Sequence, residues 1–111
     1  MIDAHLLRKM KPGAFLLNCS RGSVVREEDL IEALRERWIS GAALDVYCQE
    51  PPESSNPLLA MDNVILTPHS AALSEQAMEL MSLHLAQGVG DILQGKQPQW
   101  CLNYDIIQNK T

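Results

Sequence analysis

Three side chains in this sequence have the chemistry to move a proton beside a bound anion: Arg21, Glu50 and His69. A guanidinium such as that of Arg21 makes two parallel hydrogen bonds to a carboxylate, a geometry lysine cannot match. Gly22, directly after it, lets a ligand approach the backbone closely. The alternative for Arg21 is a surface arginine pairing with an acidic neighbour. An unperturbed histidine titrates near pH 6.5, so His69 can give and take a proton at neutral pH. A carboxylate beside it would stabilise the protonated ring, and Glu50 is the natural candidate. The plainer alternative is a histidine ending a strand and a glutamate in a solvated loop. Asp45 interrupts an otherwise apolar run, where a carboxylate is costly without donors. Either a backbone turn or a ligand amide could supply them.

These residues need elements to carry them, and the hydrophobic pattern supplies three strands. The apolar run 14–17 fits a strand buried on both faces, as in a parallel sheet. The polar turn Asn18-Cys19-Ser20-Arg21-Gly22-Ser23 follows it. Residues 27–38 read as a helix, with Leu30, Ile31, Leu34 and Trp38 on one side and Glu27 and Glu28 at the positive end of its dipole. A second strand is expected over 42–47 after Gly41, completing a right-handed parallel βαβ unit. Residues 48–63 are Pro-, Ser- and Glu-rich loop with one helical turn at 57–61, and a third strand spans 64–67. Before the first strand, Asp3 caps a short helix with Leu6, Leu7 and Met10 on one face, stopped by Lys11-Pro12-Gly13. Ser74 caps a long last helix reaching Gln94, with Ala77, Met78, Met81, Leu85, Val89 and Ile92 on one stripe and core packing as the role of the methionines. In an open parallel sheet, ligands bind beyond the carboxyl ends of the strands. Arg21, Asp45, Glu50 and His69 all fall at that rim.

Bulk properties narrow the function classes. The 111 residues suit one domain or part of one, and a hydrophobic fraction of 46% with 21% charged is ordinary for a soluble globular chain. A net charge of −5 with no basic face argues against a nucleic-acid partner. The apolar runs are too short for a membrane span, and Asp3, His5, Arg8 and Lys9 break any signal-peptide pattern. Cys19, Cys48 and Cys101 are odd in number and unpaired by spacing, as expected of free thiols in a reducing cytoplasm. No cysteine or histidine spacing suggests a metal site. Gly88, Gly90 and Gly95 have neither the spacing nor the strand-to-helix context of a dinucleotide fingerprint.

The segments Lys11-Pro12-Gly13-Ala14, Asn18-Cys19-Ser20-Arg21-Gly22, Gly41-Ala42-Ala43-Leu44-Asp45-Val46, Glu50-Pro51, Asn56-Pro57-Leu58 and Thr67-Pro68-His69 occur in order. Together they resemble the second half of the nucleotide-binding domain of the D-isomer-specific 2-hydroxyacid dehydrogenases, over about residues 2–103. Ser70-Ala71-Ala72-Leu73-Ser74 is most similar to phosphoglycerate dehydrogenase-like members. The resemblance implies an α/β fold: a partial Rossmann-type, three-layer parallel sheet of about three strands with flanking helices, lacking the N-terminal half of its domain. Residues 1–98 would be the C-terminal part of that NAD-binding domain, and 99–111 the segment returning to a substrate domain, leaving Trp100 and Leu102 without a partner surface.

By position, the resemblance makes Arg21 the anchor of the substrate carboxylate, His69 the acid/base and Glu50 its partner. Asp45 would hold the nicotinamide carboxamide. Cys19, Ser20, Arg21, His69, Ser70, Ala71 and Ala72 would line the NAD pocket, with NADP the other possible cofactor. The substrate would be a small 2-hydroxy or 2-keto acid. The family's Gly-x-Gly-x-x-Gly turn is absent from these residues, so the chain is expected to be a piece of an oxidoreductase, inactive alone unless joined by a complementing N-terminal half. The alternative is a non-catalytic dehydrogenase-like protein-binding module, with self-association through an open sheet edge. Arg26 stands where the family often has an acidic residue; since it cannot cap the helix at 27, a frayed first turn is expected.

Overall fold

The computed structural model describes residues 1–104. It divides into two compact units, one of residues 1–71 and a second beginning at Ala72. Three parallel strands, β1 (Phe15–Asn18), β2 (Gly41–Leu44) and β3 (Val64–Leu66), form one sheet in the order β1-β2-β3. Asn18 pairs with Leu44 and Leu44 with Leu66, so all three strands end level. This is the expected partial Rossmann-like arrangement of parallel strands with flanking helices.

The core lies on one face of the sheet. Leu16, Ala42 and Leu44 meet Leu7 of α1 (Ala4–Leu7) and Leu30, Ala33 and Leu34 of α2 (Glu27–Arg35), with Leu58 from the short helical turn Pro57–Ala60. Phe15 and Leu17 point the other way, and Leu17 is 72% exposed. The strand expected to be buried on both faces is therefore buried on one: alternate residues of a strand face opposite sides, and only α1 and α2 pack in this unit's core.

Caps decide where the helices begin. Asp3 accepts a hydrogen bond from the Leu6 N–H at 3.1 Å, as expected, but α1 is one turn long, and Leu6 is 44% exposed. The first turn of α2 is formed despite its uncapped start. The Arg26 N–H donates to the Ile2 carbonyl at 2.8 Å, and the Asp29 carboxylate accepts from the Ala4 N–H at 2.7 Å, so the turn is tied to the N-terminal segment rather than capped by its own side chain. α2 stops at Arg35, three residues before the expected end, because Arg37 takes a left-handed φ of 56°. Trp38 then lies beneath the Arg8 guanidinium, 3.6 Å from ring centroid to the cation.

The second unit carries α3 (Glu75–Leu93), capped by Ser74 Oγ, which accepts from the Ala77 N–H at 3.1 Å, and closed by Gly95 at φ 70°. Its stripe is not core: none of its residues is buried, and Met78 and Met81 are about half exposed. Leu80, Leu83 and Leu93 are also exposed, so the apolar surface extends beyond one stripe, more than a single helix can cover by itself. Trp100 does find a partner, stacking on His84 of α3 with centroids 3.9 Å apart. Of the returning segment 99–111, residues 105–111 lie outside the described residues. Among those described, no helix is long and apolar enough to cross a membrane.

Candidate active site

The rim beyond β1 is built by Asn18. Its buried side-chain oxygen accepts from the N–H and hydroxyl of Ser20, at 3.1 and 3.0 Å, while its amide donates to the Arg21 carbonyl at 2.9 Å. The loop is thus wound around one side chain. Arg21 is exposed, and its Nη1 donates to the Ser20 carbonyl at 2.6 Å. Cys19 is an exposed free thiol in the same loop. Gly22 follows because nothing larger fits: a Cβ there would lie 2.0 Å from the Tyr47 carbonyl oxygen. The glycine read as giving a ligand access instead gives access to the neighbouring loop.

β2 ends earlier than expected, at Leu44, leaving Asp45, Tyr47 and Glu50 in the segment beyond it. Asp45 is 3% exposed, and its carboxylate is satisfied from within the protein. Oδ1 accepts from Thr67 Oγ1 and from the Ser70 N–H at 2.8 Å, and Oδ2 from the Ala71 N–H at 2.9 Å. Of the two sources of donors open to this residue, the structure displays the backbone turn. The Thr67 hydroxyl, then the Ala71 and Ser70 N–H groups, hold the Asp45 carboxyl below its ordinary range. That turn presents His69 with φ 52°, a left-handed conformation uncommon outside glycine. Such a backbone costs about 1–3 kcal/mol and persists where its surroundings over-determine it. The three bonds to Asp45, one before His69 and two after it, do so.

Glu50 and His69 meet. Glu50 Oε2 lies 2.8 Å from His69 Nδ1, and Glu50 Oε1 accepts from the Tyr47 N–H at 3.0 Å. The hydrogen bond from His69, then that from the Tyr47 N–H, lower the Glu50 pKa; the charge of Arg21 acts in the same direction. A carboxylate on Nδ1 makes that nitrogen the donor, so Nε2 is the one free to exchange a proton. The side chains of His69 and Glu50 are 47% and 38% exposed, so the pair is accessible to a small molecule. They share a cleft of ≈ 250 Å³ with Tyr47, Pro51, Pro52 and Pro68.

The structure therefore joins Glu50 to His69 and sets Asp45, Ser70 and Ala71 behind His69 as one turn, while Arg21, in the β1 loop, acts on Glu50 through its charge and makes no hydrogen bond or ion pair with it. Cys19 and Ser20 stay within the β1 loop, and Ala72 starts the second unit. Sequence reasoning missed Tyr47, Thr67 and Asn18. A tyrosine at the end of an apolar strand signals core, and no spacing rule ties it to a residue twenty positions on.

The geometry can be set beside known proteins. Residues 1–71 match the family model of the D-isomer specific 2-hydroxyacid dehydrogenase, NAD binding domain. Over 108 residues the chain is 42% identical to the glyoxylate reductase of Thermofilum pendens, covering 97% of this chain and 32% of that protein. It is 43% identical over 103 residues to the D-3-phosphoglycerate dehydrogenase of Synechocystis, covering 93% of this chain and 18% of that protein. The structure resembles the D-isomer specific 2-hydroxyacid dehydrogenase of Xanthobacter autotrophicus in complex with NADPH and MES, with a TM-score of 0.78 and 36% identity over 88% of this chain and 40% of that one. The chain thus spans about a third of the length of the glyoxylate reductases it matches. With its level parallel strand ends and its match over residues 1–71, the chain belongs to the D-isomer specific 2-hydroxyacid dehydrogenases, through their NAD-binding domain.

Proposed function

We propose that this chain supplies the acid/base half of an NAD(P)-dependent active site interconverting a 2-keto acid and a D-2-hydroxy acid. The observation that carries this is the 2.8 Å contact between Glu50 and His69 Nδ1, which leaves Nε2 at an accessible cleft. In the reducing direction, His69 Nε2–H gives its proton to the substrate carbonyl oxygen. Nδ1 keeps its hydrogen throughout, and the Glu50 carboxylate stabilises the doubly protonated ring that precedes transfer. Arg21 holds the substrate carboxylate with its forked donors, fixing the carbonyl relative to His69. A nicotinamide, when bound, would be the source of the hydride for the carbonyl carbon. In the oxidising direction Nε2 takes the hydroxyl proton back. General acid/base help of this kind is worth roughly 10²–10⁴ in rate.

A carboxylate offers about four acceptor positions, and Asp45 uses three. We propose that a nicotinamide carboxamide N–H would take the one left, on Oδ2. Ser70 and Ala71, with Cys19 and Ser20, are the residues proposed to line that pocket. The 111 residues hold no Gly-x-Gly-x-x-Gly run, so we place the pyrophosphate cradle outside them and expect little turnover from the chain alone. Glyoxylate titrated into the labelled chain should shift the amides of residues 19–22 and 69–71. Shifts elsewhere, or none at millimolar concentration, would remove the site. A second reading, a non-catalytic binding module, is favoured by the exposed Phe15, Leu17 and Ile65. Association that grows with concentration in size-exclusion chromatography, without any effect of glyoxylate, would support it.

A further inference from the structure

We propose that Tyr47 is a positioning residue that sets the Glu50–His69 distance by tying together the segments beyond all three strands. This inference rests on the acid/base reading of that pair. Three groups of Tyr47 act at once. Its N–H donates to Glu50 Oε1 at 3.0 Å, so that with His69 on Oε2 both carboxylate oxygens are held and the carboxylate cannot turn. Its hydroxyl donates to the Thr67 carbonyl at 2.9 Å, two residues before His69. Its own carbonyl lies against Gly22, where a Cβ would approach to 2.0 Å, so it packs directly on the loop that carries Arg21. The ring lines the cleft shared by Glu50 and His69. Glu50 belongs to a loop and His69 to a strained turn, and no ladder hydrogen bond joins those two segments. The Tyr47 hydroxyl bridges them instead, alongside the bonds of Asp45. A phenylalanine would fill the same apolar space, so the hydroxyl is the part whose role is distinctive.

The test follows the side-chain carboxyl carbon of Glu50 by NMR across pH in the 111-residue chain, as such and as His69→Gln and Tyr47→Phe. His69, Arg21, Asp45 and Tyr47 are the titratable groups around it. In the unmodified chain, Glu50 is expected to titrate below the ordinary glutamate value, and His69→Gln to raise its midpoint. Tyr47→Phe should raise it too, by about half a pH unit, the size expected if a hydrogen bond's net worth is partly felt at the pair. The midpoint of Asp3, which caps α1, should not move; general loosening would move both. If His69→Gln changes nothing, the Glu50–His69 pair is absent and the acid/base reading falls, taking this inference with it. If His69→Gln raises the midpoint and Tyr47→Phe does not, the inference alone is overturned. Should Tyr47→Phe fold poorly, the unmodified chain still decides: the Tyr47 amide proton must shift with the Glu50 midpoint, and independence of the two would overturn the proposal.

Discussion

Asp45 shows how a residue's role depends on what reaches it. Its lowered pKa comes first from the Thr67 hydroxyl, then from the Ala71 and Ser70 N–H groups, and Glu50 is lowered first by His69. Each folded value is depressed, so each carboxylate contributes stability at pH values above its unfolded pKa, near 3.8 for Asp45 and 4.5 for Glu50. That contribution is lost as pH falls through the folded value. Urea midpoints should therefore stay level from pH 7 to 5 and drop below about pH 4. Asp45→Asn should lower the midpoint at pH 7, because its amide cannot accept all three bonds, and should shrink the acid-dependent part of the drop. Gly22→Ala is a harsher test: a methyl cannot occupy a point 2.0 Å from the Tyr47 carbonyl oxygen. It should cost about 3 kcal/mol, the upper end of overpacking, read from the same urea curves. Residue types alone exposed Arg21, Glu50 and His69 as candidates. They did not reveal that Asp45 serves His69 through the backbone, because an acceptor's partners are N–H groups that every residue carries.

Elements were legible where a cap or a period marks them. Asp3 and Ser74 each accept the expected bond from three residues ahead, and Gly95 ends α3 with a positive φ. Strand ends were less legible: Val46 and Tyr47 carry the apolar pattern on past Asp45, yet β2 ends at Leu44, after which the Asp45 N–H makes one more bond to the Asn18 carbonyl at 3.0 Å while its side chain receives Ser70 and Ala71. At the start of α2 the sequence shows a poor cap and the structure shows its substitute, the Asp29 bond to Ala4. Arg26 is extended, with φ −72° and ψ 107°, a backbone suited to an N-cap. Arg26→Ser would add an acceptor for the first turn. Its cost is the ion pair to Asp29 at 3.8 Å, long and with its arginine exposed, and so worth little. The net expectation is a gain of about 0.5–1 kcal/mol, visible as a higher melting temperature in circular dichroism. Leu34→Ala in the same helix should cost about 2–5 kcal/mol, since Leu34 is fully buried in the core.

At the scale of the molecule, the proposed function asks for two sets of groups. The described residues hold a histidine bonded to a carboxylate and a guanidinium whose charge favours that carboxylate's ionised form, while the sequence carries no Gly-x-Gly-x-x-Gly run of the kind that holds a pyrophosphate. Exposed apolar residues on the second face of the sheet and along α3 were read from sequence as core, because periodicity reports that a residue is apolar and not what will cover it. The same division predicts the kinetics. Cofactor binding that contributes equally to ground and transition states lowers KM without changing the chemistry. On the proposed reading, a chain with no glycine-rich run for the phosphates should thus show no measurable turnover at ordinary NADH concentrations while keeping the Glu50–His69 pair. NADH-dependent reduction of glyoxylate or hydroxypyruvate by the purified chain should be at background. Adding the N-terminal half of a related dehydrogenase in trans should restore it, and His69→Gln should lower the restored rate by about 10²–10⁴. Robust turnover by the chain alone would show that a cofactor can be held without a glycine-rich loop. Restored turnover indifferent to His69→Gln would assign the proton transfer to another group.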